Sequence, residues 1–229
     1  GDLLIVPQNG TPRIDPGYSS EKGYGDHFSH ENEKASPGFY SVHLEEQDID
    51  VRLSVSTRAG IHEYTFNNPS GKKFILIDLD HRDRLLSSAI NVIGDSVVTG
   101  HRTSKAWATK QEFHFYLETN VPFHKAREIE KDGRHKLLLI FNKKTDQIKI
   151  RVGMSAVDID GAQKNLEQEI PDFDFEKVKL NAERAWRKEL STIQFKSSDQ
   201  SVMKNFYTAL YHSYLNPNTF SDVDRRYRG

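Results

Sequence analysis

Between residues 39 and 155 apolar and polar side chains alternate with a period of two, and no window there carries the 3.6-residue stripe of a helix. Tyr40, Val42 and Leu44 alternate with Ser41, His43 and Glu45, then Val51, Leu53 and Val55 with Arg52, Ser54 and Ser56. That is the period of half-buried antiparallel strands. Short runs rich in β-branched and aromatic residues follow at 61–66, 74–79, 89–93, 97–100, 113–117, 136–141 and 148–152. Turn chemistry separates them: Asn67-Asn68-Pro69-Ser70-Gly71, Gly94-Asp95, Asp132-Gly133 and Lys143-Lys144-Thr145-Asp146. Strands at this spacing with no helix between them predict a mainly β chain built on an antiparallel β-sandwich, not a parallel α/β sheet. Phe74-Ile75-Leu76-Ile77 and Leu137-Leu138-Leu139-Ile140-Phe141 are unbroken apolar runs, which places them centrally and covered on both faces.

What flanks the strands obeys different rules. Residues 3–6 form one short apolar run, and Pro7, Gly10, Pro12, Pro16, Gly17, Gly23 and Gly25 then exclude regular structure up to about residue 33. A domain does not naturally begin with an isolated strand and a long breaker-rich loop, so Gly1 reads as an interior position of a longer chain. Asn9-Gly10-Thr11 formally fits a glycosylation sequon but is read first as a turn. Past residue 152 a short helix is predicted at 160–169. Phe175, Val178, Ala182, Trp186 and Leu190 then mark a stripe expected to lie on the sandwich, with Asp172 and Asp174 at its start. Ser197-x-x-Gln200 reads as a capping box, ahead of a second stripe of Val202, Phe206, Leu210 and Tyr214. Such helices cannot bury their stripes alone. The last one is therefore expected to open a helical domain that is cut off at Gly229.

Composition narrows the function. A net charge of −1 gives no long-range pull on nucleic acid or an anionic membrane. No window reaches the length of a membrane span, and the absence of cysteine excludes disulfides and thiolate chemistry. A mean hydropathy of −0.69 is low for a self-contained globule of 229 residues, which suggests solvated loops or surface meant for a partner.

Three stretches carry candidate chemistry. Phe220-Ser221-Asp222-Val223-Asp224-Arg225-Arg226-Tyr227-Arg228 packs two carboxylates and three guanidinium groups into one loop, a density suited to a polar ligand or to a solvated terminus. His30, Glu31 and Glu33 lie within Phe28-Ser29-His30-Glu31-Asn32-Glu33-Lys34-Ala35-Ser36-Pro37-Gly38-Phe39-Tyr40 and suit a metal or sugar site, or equally a polar turn ahead of a strand. Gly100-His101-Arg102-Thr103-Ser104-Lys105-Ala106-Trp107-Ala108 runs into an aromatic strand. Its Trp suits sugar stacking, although a Trp beside a strand is more often packed on the sheet.

Together with Tyr207-Thr208-Ala209-Leu210-Tyr211-His212 and Asn216-Pro217-Asn218, these motifs resemble the α-mannosidases of glycoside hydrolase family 92 over essentially the whole chain. The resemblance implies a β-sandwich domain at 1–157, incomplete at its N-terminus, a helical linker at 158–196, and the truncated start of an (α/α)6 catalytic domain at 197–229. It implies a parent enzyme that is calcium-dependent, exo-acting and inverting, trims α-linked mannose (α-1,2 favoured) from N-glycans or mannans, and works in the periplasm or after secretion. Its catalytic acid and base and its calcium ligands are expected beyond Gly229, leaving the fragment inactive. Partners so implied are a mannose-containing glycan and the missing helical domain. Asp222 and Asp224 are then the candidate sugar ligands, with at least one carboxylate expected free of internal pairing; His30, Glu31 and Glu33 are secondary. The sequence departs from the family pattern at Arg225, where glycine is expected. The alternative is a non-catalytic β-sandwich binding carbohydrate or a partner protein, a module with no use for an exposed stripe on the last helix.

Overall fold

The computed structural model describes residues 2–17, 23–131, 134–215 and 219–229. Gly1, the Asp132-Gly133 turn and Asn216-Pro217-Asn218 lie outside the described residues. Among the described residues twelve strands come first: β1 (Leu4–Asn9), β2 (Lys34–Ser36), β3 (Phe39–Leu44), β4 (Ile49–Val55), β5 (Ala59–Phe66), β6 (Lys73–Asp78), β7 (Arg84–Ile93), β8 (Val97–Lys105), β9 (Gln111–Thr119), β10 (Lys125–Lys131), β11 (Arg134–Phe141) and β12 (Gln147–Ser155). Three helices follow, α1 (Ile159–Glu169), α2 (Phe175–Leu190) and α3 (Gln200–Tyr214).

The strands form two sheets, a four-stranded one in the order β1-β6-β11-β10 and an eight-stranded one in the order β2-β3-β4-β5-β12-β9-β8-β7. All pairings are antiparallel. The two unbroken apolar runs are the central strands of the smaller sheet, as their composition requires. Ile75, Ile77, Leu137 and Leu139 face the eight-stranded sheet, where they meet Val51, Tyr64, Leu117 and Ile150. Phe74, Leu76 and Leu138 point the other way and are covered by Ile14 and Tyr24. The breaker-rich N-terminal segment is thus the cover of an outer sheet face. Lys136 Nζ holds it down at 3.0 Å from the Ile14 carbonyl.

Strand β10, Lys-Ala-Arg-Glu-Ile-Glu-Lys, has no strand signature in the sequence. It lies at the edge of the smaller sheet, paired with β11 alone, and a charged edge discourages strand addition by other molecules. Inside the sandwich His62 Nδ1 lies 2.6 Å from the Tyr64 hydroxyl. Burial depresses the His62 pKa to about 4.

Each helix begins on an aspartate. The Asp158 side chain accepts from Gly161 N–H, Asp174 from Lys177 N–H, and Asp199 from Ser201 and Val202 N–H. The third departs from the expected Ser197 cap: Ser197, two residues before the cap, instead accepts through Oγ from Asp199 N–H. Helix α2 docks on the eight-stranded sheet through Phe175 and Val178, which join Ala59, Ile61, Leu166 and Ile170 in a second core. Trp186 does not reach that core. It is half-buried beside Gly38 of the β2–β3 turn, where a Cβ would lie 3.4 Å from its Cδ1, with its ring 4.7 Å from that of Tyr211 on α3. Leu190 is likewise half-buried. No α3 residue is buried, and Val202 and Tyr214 of its stripe are exposed. Among the described residues no helix is long and apolar enough to cross a membrane.

Candidate functional site

The C-terminal loop, 219–229, folds back onto the end of β12 and the first turns of α1. Asp222 is the residue it buries, 4% exposed. Ser155 Oγ, at the last position of β12, donates to Asp222 Oδ2 at 2.7 Å, and Asn165 Nδ2 donates to Oδ1 at 2.8 Å. The same Asn165 amide donates to Met154 O at 2.8 Å and accepts from Val223 N–H at 2.9 Å. Space for the carboxylate exists because position 161 is glycine: a Cβ there would lie 2.2 Å from Asp222 Oδ2. The turn is closed by Asp222 N–H to Arg226 O at 2.8 Å and Arg225 N–H to Asp222 O at 2.9 Å. Upstream, Arg58 Nε donates to Ser221 O at 2.6 Å, while its Nη1 meets Glu169 Oε1 at 2.6 Å.

This placement corrects the expectation for Asp222. With both oxygens bound inside the protein it is an internal anchor in this structure, and its partners are neutral donors, not guanidinium groups. Asp224 keeps 28% of its side chain accessible, yet it is not free of pairing: Lys164 Nζ lies 3.1 Å and Arg226 Nε 2.9 Å from Oδ2. Partial burial opposes ionisation of Asp224. The Arg226 backbone N–H, the Lys164 ammonium and the Arg226 guanidinium outweigh it and hold the carboxyl below the ordinary range. Arg226 also forks onto Asp158, Nη1 to Oδ2 at 2.5 Å and Nη2 to Oδ1 at 3.0 Å, which lowers the Asp158 pKa. Arg225 has φ +70°, the left-handed conformation glycine adopts without strain.

The loop's tail reaches the β8–β9 hairpin. Arg228 Nη1 lies 3.1 Å from Glu112 Oε2, and Glu112 Oε1 lies 3.5 Å from His114 Nε2. His114 pairs across the strands with His101, ring centres 5.8 Å apart, and burial lowers its pKa. Trp107, expected on the sheet, is instead fully exposed on the connection between β8 and β9. Arg102 of the same motif is buried, donating through Nε to Leu79 O at 2.6 Å and through Nη1 to Asp2 Oδ1 at 2.6 Å. It fastens the chain's start to β8.

His30, Glu31 and Glu33 are elsewhere. They sit in a single 3-10 turn before β2, where Glu33 accepts from the Tyr40 hydroxyl at 2.7 Å and meets His30 Nδ1 at 2.7 Å. Both contacts, Tyr40 first, lower the Glu33 pKa, while burial and Glu33 push Tyr40 up to about 12. Four strand intervals, roughly 19 Å across the sheet, separate β2 from β12, so this turn and the Asp222 anchor belong to different parts of the sheet. Glu31 is exposed. Among the described residues no group of three or more His, Asp or Glu is placed to hold a metal ion.

Sequence reasoning missed Ser155, Asp158, Gly161 and Asn165, which build the anchor. One signal was available: Gly161, Ala162, Asn165 and Leu166 form the buried face of α1, and a polar amide inside an apolar stripe needs buried partners.

Comparison with known proteins places these features. Residues 1–155 match the model of the glycosyl hydrolase family 92 N-terminal domain, and residues 161–229 that of the glycosyl hydrolase family 92 catalytic domain. An uncharacterized secreted glycosidase of Arthroderma benhamiae is 27% identical over 85% of this chain and 30% of its own length. The structure of a family 92 α-mannosidase from Bacteroides thetaiotaomicron superposes with a TM-score of 0.91 at 26% identity, over 100% of this chain and 34% of that one. The complex of that mannosidase with mannoimidazole matches equally well, TM-score 0.91 at 26% identity, with 100% and 33% covered. The chain spans about a third of the length of these relatives.

Proposed function

The chain belongs to glycosyl hydrolase family 92, and on that premise we propose that the protein carrying it is an exo-acting, inverting α-mannosidase that removes α-linked mannose, with α-1,2 linkages favoured, from N-glycans or mannans. The observation that carries the reading is the likeness to a family 92 α-mannosidase along the whole chain, sandwich, helices and terminal loop together. A mannose analogue bound by that relative supports mannose as the sugar. The name of the fungal relative supports action outside the cytoplasm, in the periplasm or after secretion.

In this reading the 229 residues supply part of a sugar-binding face. Asp224 projects from a turn anchored at Asp222 and is kept ionised by Lys164 and Arg226, as an acceptor for sugar hydroxyls must be. Trp107 offers an open ring for stacking on the β8–β9 side of the same loop. Inversion needs one carboxylic acid to protonate the leaving oxygen and one carboxylate to activate water on the opposite face. Both are assigned to the larger helical domain, as are the calcium ligands.

The α3 surface favours this reading over a self-sufficient binding module, because Val202 and Tyr214 remain exposed on a helix with no fully buried residue. The test is mannose release from α-mannosides by the full-length protein, with the product anomer followed by proton NMR, beside residues 1–229 alone. Turnover to β-mannose by the former and none by the latter is expected. Turnover by residues 1–229 alone, or a retained anomer, sinks the assignment.

A further inference from the structure

We propose that Ser155 and Asn165 are positioning residues for the sugar-binding loop: by locking the Asp222 carboxylate between β12 and α1, they fix the direction in which Asp224 leaves the turn. The proposal rests on the reading of Asp224 as a sugar ligand.

Neither side chain faces solvent. Asn165 is 0% exposed and Ser155 3%. Every polar atom of the pair has a defined partner, and half of the contacts go to the loop, at Asp222 and Val223, the rest to the backbone of the β12–α1 junction. Ser155 Oγ gives its proton to Asp222 Oδ2 and accepts from Val157 N–H at 2.9 Å, so its rotor is fixed from both sides. The Asn165 amide has one admissible orientation. Its Nδ2 serves two oxygens, Met154 O and Asp222 Oδ1, and its Oδ1 receives Val223 N–H. Turning the amide over would set oxygen against two oxygens and nitrogen against a donor.

These contacts therefore read the backbone at 223 and the carboxylate at 222, the two residues before Asp224. A hydrophobic plug could hold the loop down with similar strength, but it would not select one rotation of the turn. Arg226 sets the other end of the turn through Asp158, the cap of α1. Asp224 emerges between two fixed points of the same helix start.

The test uses the full-length enzyme. Ser155→Ala removes one bond to Asp222, and Ser155→Thr keeps the hydroxyl. Measured well below its Tm, the alanine variant is expected to lose about tenfold in kcat/KM on an α-mannoside, and the threonine variant to stay within about twofold of wild type. In a double-mutant cycle with Asp224→Ala, the double variant should be no slower than Asp224→Ala alone, because Ser155 acts through that carboxylate. Additive losses overturn the proposal, as does a Ser155→Ala enzyme with wild-type kinetics and only a lowered Tm. If Ser155→Ala does not fold, Asp222→Asn, nearly identical in shape, is carried through the same cycle with the same criteria. A full-length protein that releases no mannose, or an Asp224→Ala variant as active as wild type, removes the sugar-ligand reading and this proposal with it. A loss on Asp224→Ala without one on Ser155→Ala removes the proposal alone.

Discussion

The sandwich and the last two helices solve the same problem in opposite ways. In the sandwich the two sheets share one continuous core, and the outer face of the smaller sheet is covered by the N-terminal segment. Helix α2 is attached at its first turn by Phe175 and Val178, and α3 rests on its neighbours through ring contacts, Trp186 with Tyr211 and Phe206 stacked on Phe195 at 4.5 Å. Ile193, Val202, Tyr214 and Leu215 stay exposed. The difference teaches where each part draws its stability: one region closes its own core, the other presents apolar surface and holds its place by the Phe175 and Val178 contact and a few aromatic pairs.

The largest effect should come from the shared core. Leu117→Ala removes a side chain with no exposure and should cost about 2–5 kcal/mol in urea denaturation. A cost below 1 kcal/mol would mean that the two sheets do not share that core. Acid should attack the same region. The folded pKa of His62 is depressed to about 4 from 6.5, so between these values the unfolded chain binds the extra proton. The contribution is fully present above pH 6.5 and is lost as pH falls towards 4, up to about 3 kcal/mol. His62→Gln should flatten that part of the stability profile, and an unchanged slope would assign it to other groups.

Smaller effects belong to the helices. Trp186→Ala gives up an aromatic pair and half-buried area and should cost about 1–2 kcal/mol, with loss of near-ultraviolet dichroism but little change in the strand signal. A loss as large as that of Leu117→Ala would erase the contrast. Val202→Ala, on the exposed stripe, should fall within about 0.5 kcal/mol in this chain. The same change should cost more in the full-length protein, where the stripe is expected to be covered, and equal costs in both would argue that it stays bare.

Legibility followed how local the physics is. The runs at 74–77 and 137–141 announce central strands because burial on both faces leaves no room for polar residues, and the α2 stripe announces its docking face at Phe175 and Val178. Strand β10 was invisible, since an edge strand owes its conformation to β11 and not to its own charged sequence. Trp107 misled because a sequence does not say whether a residue next to a strand lies on the sheet or on the hairpin tip. In the terminal loop the density of charge was readable, but which carboxylate turns inward was not. That choice is made by Ser155 and Asn165, 67 and 57 residues away along the chain from Asp222.

Arg225 gives the loop a mechanical character. A residue with a Cβ held at φ +70° costs of order 1–3 kcal/mol and persists only where its surroundings overdetermine it. Here the overdetermination is the pair of clamps at Asp222 and Arg226 on either side. The turn thus behaves as a loaded latch. Loss of either clamp would remove part of what offsets that strain, so the backbone at 225 depends on Asp222 and Arg226 together. Glycine at the same place would leave the latch unloaded.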